Sequence, residues 1–98
     1  MRHEVRDLDC KASVAAGDPC DVSDLREKVI QLVSSSFVGS IDVEGSIDGD
    51  TWAPLVTALT GPQLVSITVA VKSVRLNTTA HSGGSMTALV AGFNTRTA

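Results

Sequence analysis

Hydrophobic residues recur at every second position from Phe37 onward, which is the pattern of a β-strand with one buried face. The predicted core face carries Phe37, Gly39, Ile41, Val43, Gly45 and Ile47, and the polar face carries Ser40, Asp42, Glu44 and Ser46. Two more alternating stretches follow at residues 65–71 and 74–78. Because the buried face would change between them, the pattern predicts a bulge or bend near Lys72 and Ser73.

Turn-forming residues separate these stretches. Asp48-Gly49 predicts a hairpin because this pair readily adopts the positive φ angles of a tight reversal, and Trp52 begins the returning strand. Further turns are predicted at residues 60–62 and at Ser82-Gly83-Gly84-Ser85, the second followed by a last strand from Met86 to about Phe93. About six to eight short strands in this arrangement predict an antiparallel β-sandwich or small barrel.

The region before Phe37 is less regular. Residues 24–33 fit one face of a helix, with Asp24 and Glu27 spaced as in a capping box, but Val29-Ile30 and the following serines favour a strand from about Lys28. Residues 1–21 contain few large apolar side chains, so we expect an irregular N-terminal arm that orders only against a neighbour. Residues 22–98 are the predicted β-sandwich domain.

The amino-acid composition and charge disfavour several classes of function. The 98-residue chain has a net charge of −3 and only 3% aromatic residues, which disfavours binding to nucleic acid. Since no apolar run is long enough for a membrane span and the N-terminus is polar, we expect neither a membrane protein nor a signal peptide. Residues 1–52 hold all eleven carboxylates and five basic residues, whereas residues 53–98 hold three basic residues alone. This asymmetry favours contact between unlike faces of neighbouring copies.

The two cysteines, Cys10 and Cys20, lie in the polar N-terminal segment. A pair of reduced thiols is the favoured interpretation, because a secreted disulfide scaffold of this size usually has four or more cysteines. A disulfide between Cys10 and Cys20 is the alternative. A zinc site is disfavoured because the only histidines, His3 and His81, do not match a familiar ligand spacing.

Three groups of residues could carry chemistry, and each has a simpler interpretation. Asp42 and Glu44 lie on one strand face about 7 Å apart, as in glycosidases, but a solvated sheet face explains them better. Asp48 and Asp50 could offer oxygens to calcium, yet turn capping accounts for the same residues. His81 is the one plausible base for a serine nucleophile, with no carboxylate in its half of the chain. We therefore expect no enzyme and no cofactor.

Residues 43–55 resemble a hairpin that recurs in small β-sandwich structural proteins of tailed bacteriophage virions. In that family the hairpin has the pattern Glu-Gly-Ser-x-Asp-Gly-x-x-Trp-x-x-Leu, which is matched here by Gly45, Ser46, Asp48, Gly49 and Trp52 among others. The approach through residues 22–39 and the closing strands are also similar, so the resemblance covers about residues 22–93.

The resemblance implies a virion structural protein, most simply a capsid decoration (cement) protein. Such a protein is made in the host cytoplasm and binds the major capsid protein on the head surface. Independently of the resemblance, we expect a trimer or dimer in which the N-terminal arm, or one sheet edge, clamps adjoining subunits. A neck or tail component is one alternative. A discoidin-like carbohydrate-binding module for host attachment is another, with Trp52 stacked on a sugar, although Trp52 more simply closes one end of the core.

Overall fold

The computed structural model describes residues 2–94, and antiparallel β-strands are the only regular secondary structure in that range. The seven strands are β1 (Arg2–Leu8), β2 (Ala15–Ala16), β3 (Cys20–Asp21), β4 (Leu25–Ser46), β5 (Ala53–Leu59), β6 (Gln63–Ile67) and β7 (Ser73–Asn94). The predicted all-β antiparallel fold is therefore confirmed. The strand expected from about Lys28 is present and begins earlier, at Leu25.

Two long strands form the centre of the molecule. β4 and β7 have 22 residues each and pair along their whole length, from Leu25 opposite Asn94 to Ser46 opposite Ser73. A straight strand of this length would extend about 70 Å, whereas the longest dimension of the protein is 44 Å. Both strands must therefore bend, and the sheet folds back on itself.

Short strands flank this central pair on both sides. β1, β2 and β3 pair in turn with the outer side of β7, while β6 and β5 pair with the outer side of β4. The result is two regions, each four strands wide. The β6 half has the order β1-β7-β4-β6, and the β5 half places β2 and β3 beside β7, then β4 and β5.

The bend lies where the flanking strands are interrupted. β6 pairs with β4 only as far as Leu32 and β5 pairs with it only from Ile41. Between these points the β4–β7 ladder has several register shifts, including one at Ser35/Ser36. There Gly84 has a φ of 70° and lies so close to Ser36 that a Cβ atom would overlap the Ser36 carbonyl oxygen. Only glycine fits this conformation and this contact without strain.

Residues 82–85 were predicted to be a turn between two short strands, and this prediction is wrong. They form a bulged bend inside the continuous strand β7, because a bulge lets the backbone change direction while pairing continues on either side. The bend predicted near Lys72 is confirmed, and it lies in a break between two strands. β6 ends at Ile67, and residues 68–72 lead into β7, with the Lys72 N–H donating to the Ser46 carbonyl at 2.8 Å.

One hydrophobic core joins the two halves. It contains Leu8, Val22, Leu25, Ile30, Leu32, Phe37, Ile41, Val43, Leu59, Val65, Ile67, Val74, Leu76, Met86, Ala88 and Val90. Phe37, Ile41 and Val43 lie on the predicted core face. Ile47 does not, because β4 ends at Ser46 and Ile47 is 79% exposed in the following loop.

The expected irregular N-terminal arm also needs correction. Residues 2–8 form β1, which pairs with the last seven residues of β7, and Leu8 is 3% exposed within the core. The Arg6 guanidinium donates to both carboxylate oxygens of Asp24, at 2.9 and 2.7 Å, and to the Asp21 carbonyl at 2.9 Å. This segment is part of the sheet because β7 would otherwise expose an unpaired edge there.

Candidate functional site

The hairpin that carries the phage-like motif is organised by two side chains. The reversal between β4 and β5 has six residues, longer than the tight hairpin predicted from Asp48-Gly49, and Gly49 adopts a φ of 84°. Asp48 Oδ1 accepts hydrogen bonds from the Asp50 and Thr51 N–H groups, at 2.8 and 2.9 Å. Ser46 Oγ donates to Asp48 Oδ1 at 2.8 Å and accepts the Gly49 N–H at 2.8 Å.

These hydrogen bonds explain why a carboxylate is present at Asp48 without a bound metal ion. Hydrogen bonds from the Thr51 and Asp50 N–H groups and from the Ser46 hydroxyl lower the pKa of Asp48 to about 2. The same oxygen that could bind calcium is therefore already used to cap the loop. Within residues 2–94 no cluster of three or more His, Cys, Asp or Glu residues could hold a metal ion.

The two small residues before the loop are fixed by packing. Ser46 is 3% exposed, and a Cβ atom on Gly45 would lie 2.8 Å from Leu55 Cδ1 and 3.1 Å from Val71 Cγ1. A side chain at Gly45 would push these two residues apart. Gly45 and Ser46 therefore join the hairpin to the core of the β5 half.

Trp52 lies against an ion pair on the outer side of the β5 half. The Arg75 guanidinium lies 4.4 Å from the centre of the indole ring, in the range of a cation–π contact. Arg75 Nε donates to Glu44 Oε1 at 2.7 Å, and Asn77 Nδ2 donates to Glu44 Oε2 at 3.4 Å. Trp52 is only partly buried and lies outside the core cluster, so the expectation that it closes the end of the core is wrong.

The other carboxylate proposed for chemistry, Asp42, also has a structural role. Asp42 Oδ1 accepts the Ala58 N–H at 3.0 Å, where Ala58 has a φ of 59° in a bulged part of β5. Glu44 is neutralised by Arg75, and its side chain is only 14% exposed. The predicted solvated face is therefore a hydrogen-bonded, half-buried one. Asp42 and Glu44 hold two different contacts instead of forming an acid–base pair.

His81 is part of the bend. Its Nε2 atom lies 2.9 Å from the Gly84 carbonyl oxygen, and its ring centre lies 5.7 Å from that of Phe37. His3 lies on β1, with its ring 5.4 Å from that of Phe93 at the far end of β7. The structure thus places the two histidines in separate parts of the fold.

Both cysteines are free thiols and pack against the core. Burial raises the pKa of Cys10 and of Cys20 above the ordinary value for a thiol. A raised pKa keeps the thiolate fraction small at neutral pH, which makes both residues poor nucleophiles.

An uncharged surface strip is the feature that sequence reasoning missed. Residues 51–71 contain no Asp, Glu, Lys or Arg, and this stretch includes both β5 and β6. Leu64 is 69% exposed and Val69 is 46% exposed. An open groove of about 840 Å³ lies beside the end of β6, between residues 66–71 and residues 25–29. The gap in charge could have been read from the sequence, but its place on a sheet edge could not.

Comparison with known proteins gives one informative match in fold. No protein-family model and no curated protein sequence matches this chain. The solved structure of the SPBc2 prophage-derived protein YomS is similar, with a TM-score of 0.74 and 12% sequence identity. The similarity covers 93% of this chain and 92% of YomS. The two proteins therefore share a fold along nearly their whole length. Within residues 2–94, no helix is long and apolar enough to cross a membrane.

Proposed function

We propose that this chain is a structural protein of a tailed-phage virion, and specifically a capsid decoration protein. It binds the outer surface of the head as a homo-oligomer and stabilises junctions between major capsid subunits. The observation that carries the proposal is the fold shared with a prophage-derived protein over nearly the whole of both chains. The phage-like hairpin motif supports it independently, because that resemblance rests on sequence alone.

The use of the polar residues also supports an assembly role. Asp48 caps the hairpin loop, Glu44 neutralises Arg75, and Asp42 holds a bulge in β5. Side chains of the types that enzymes use are committed here to shaping the fold. A stacked sugar would have to compete with Arg75 for one face of Trp52, which disfavours the carbohydrate-binding alternative.

Of the two contacts that the sequence suggested for attachment, the N-terminal arm and one sheet edge, the structure disfavours the arm. Because β1 belongs to the sheet and Arg6 joins it to Asp24, residues 2–8 are not free to clamp a neighbouring subunit. Contact with the capsid must instead use surfaces of the folded domain. Because residues 1–21 include β1, β2, β3 and the buried Leu8, we expect their removal to unfold the domain.

Binding to purified phage fractions tests the proposal. The folded chain is mixed with heads and, separately, with tails from particles lacking it, and each mixture is sedimented. We expect saturable co-sedimentation with heads, at a fixed ratio to the major capsid protein, and a higher melting temperature of the heads. The matched control is Leu32→Asp, which places a charge in the core and should lose binding with the fold. Co-sedimentation with tails alone, or with neither fraction, would refute the decoration role.

A further inference from the structure

The exposed edges of the sheet are not equally protected against pairing with another strand. An edge strand offers unpaired N–H and C=O groups, and natural proteins block such edges with charges, proline, bulges or short length. β1 carries Glu4, Arg6 and Asp7. β5 contains Pro54 and is bulged where it pairs with β4, and β2 and β3 have only two residues each.

β6 has none of these protections. Its five residues pair with residues 28–32 of β4 in a regular register without a shift, and they include no charge and no proline. In the part of the chain that the structure describes, β4 is the only strand with which β6 pairs. From Leu64 to Ile67 the side chains alternate, with Val65 and Ile67 buried and Leu64 and Ser66 exposed. β6 is thus a flat, open edge ready to accept another strand.

The surroundings of β6 favour a second copy of the same chain as the partner. Each copy carries a net charge of −3, so two copies repel each other wherever like-charged faces approach. The repulsion is least where both present the uncharged strip of residues 51–71. An antiparallel pair of identical strands is also compatible with two-fold symmetry, the commonest symmetry of homo-oligomers.

We propose that two copies pair through β6 in an antiparallel arrangement and extend the β6 half into a continuous sheet across the dimer. The midpoint of Gln63–Ile67 is Val65, so only a register with Val65 opposite Val65 pairs all five residues. In that register Leu64 of one copy lies opposite Ser66 of the other, on the exposed face. The paired strands extend about 17 Å, so the interface is small and the dimer is weak and concentration-dependent.

This inference specifies the homo-oligomer of the proposed function, but it rests on the edge geometry and can fail separately. The test is sedimentation velocity of the full chain, from low micromolar concentration to the solubility limit. We expect a reversible monomer–dimer equilibrium. Leu64→Lys with Ser66→Lys places two Lys–Lys pairs across the interface and should weaken dimerisation about tenfold or more. Leu64→Lys with Ser66→Glu pairs opposite charges in the same register and should restore it.

Val5→Lys is the matched control, since Val5 is 55% exposed on the charged edge strand β1. It should leave the dimer unchanged, and circular dichroism should show every variant folded. The proposal is overturned if the wild-type chain stays monomeric, if the Lys/Lys and Lys/Glu variants behave alike, or if Val5→Lys dissociates the dimer as strongly. A monomer that still co-sediments with heads would overturn the interface and leave the decoration role standing.

Discussion

The bend in the central strands depends on one glycine, and replacing it gives a sharp prediction. Gly84 has a φ of 70°, and its α-carbon lies against the Ser36 carbonyl. The left-handed conformation costs a non-glycine residue about 1–2 kcal/mol. Overlap with the Ser36 backbone adds further strain, because neither strand can move without disturbing the ladder, and such strain costs about 1–3 kcal/mol.

Gly84→Ala should therefore lower the free energy of unfolding by about 2–5 kcal/mol. A domain of this size has a total stability of about 5–15 kcal/mol, so the variant loses a large part of it. Its melting temperature should fall by more than about 8 °C. The adjacent Gly83 is the matched control, since it lies outside the left-handed region and a Cβ there meets nothing within 4 Å. Gly83→Ala should be neutral or stabilising by up to about 1 kcal/mol.

Urea unfolding followed by fluorescence measures both variants, because the chain has a single tryptophan. Circular dichroism at the same concentrations checks that the transition is cooperative. If Gly84→Ala and Gly83→Ala have equal stabilities within about 0.5 kcal/mol, the bend does not depend on the conformation of Gly84. The argument for a folded-over sheet with a glycine bulge would then be refuted.

Three further predictions concern β1, the hairpin and the ion pair. Leu8→Ala should destabilise the protein by about 2–5 kcal/mol in urea unfolding because it leaves a cavity in the core. Val5→Ala, on the exposed face of β1, should cost less than about 0.5 kcal/mol. Equal effects of the two substitutions would contradict the position of β1. Since the folded pKa of Asp48 is about 2, below its unfolded value near 3.8, its stabilising effect is present at neutral pH and is lost as the pH falls through this range. Asp48→Ala should therefore flatten the dependence of the urea midpoint on pH between these values, and an unchanged slope would contradict the capping role. Arg75→Ala should lower stability by about 1–3 kcal/mol because it leaves a half-buried carboxylate without its cation, and it should shift Trp52 emission to the red; an unchanged spectrum would contradict the stacked geometry.

Much of the fold could be predicted from the alternation of hydrophobic and polar residues and from the residues that form turns. The period-two pattern identified the core face of β4 at Phe37, Ile41 and Val43, since strand side chains alternate whatever their partners are. Asp48-Gly49 correctly marked a reversal, because the φ preference of glycine is local. The length of that loop depended on Ser46 and Asp48 bonding to the backbone, a detail that alternation does not encode.

Features that depend on long-range pairing could not be predicted in the same way. The Gly83-Gly84 segment has the composition of a turn, but its conformation is set by Ser36, far away along the chain. The sequence of β1 shows little alternation of hydrophobic and polar residues. It forms a strand because it pairs with β7, whose backbone N–H and C=O groups would otherwise be unpaired on that side. Arg75 became important only when the sheet brought it between Glu44 and Trp52.

The same distinction applies to the candidate site. The hairpin motif was recognised from its residues, and the structure gives each of them a structural reason, from the cap at Asp48 to the packing around Gly45. A motif of this kind indicates the fold, but it does not indicate which surface of the protein contacts a partner. The open edge of β6 could not be predicted from the sequence, because it depends on which strands pair throughout the sheet.

The central claim is that this chain is an outer component of a phage head, and labelled particles test it most directly. Phage particles purified from a culture that expresses the chain are incubated with gold-labelled antibody against it and imaged by electron microscopy. The account predicts regular labelling over the head surface, with the tail unlabelled. Labelling confined to the tail or neck, or virions that lack the chain altogether, would contradict it.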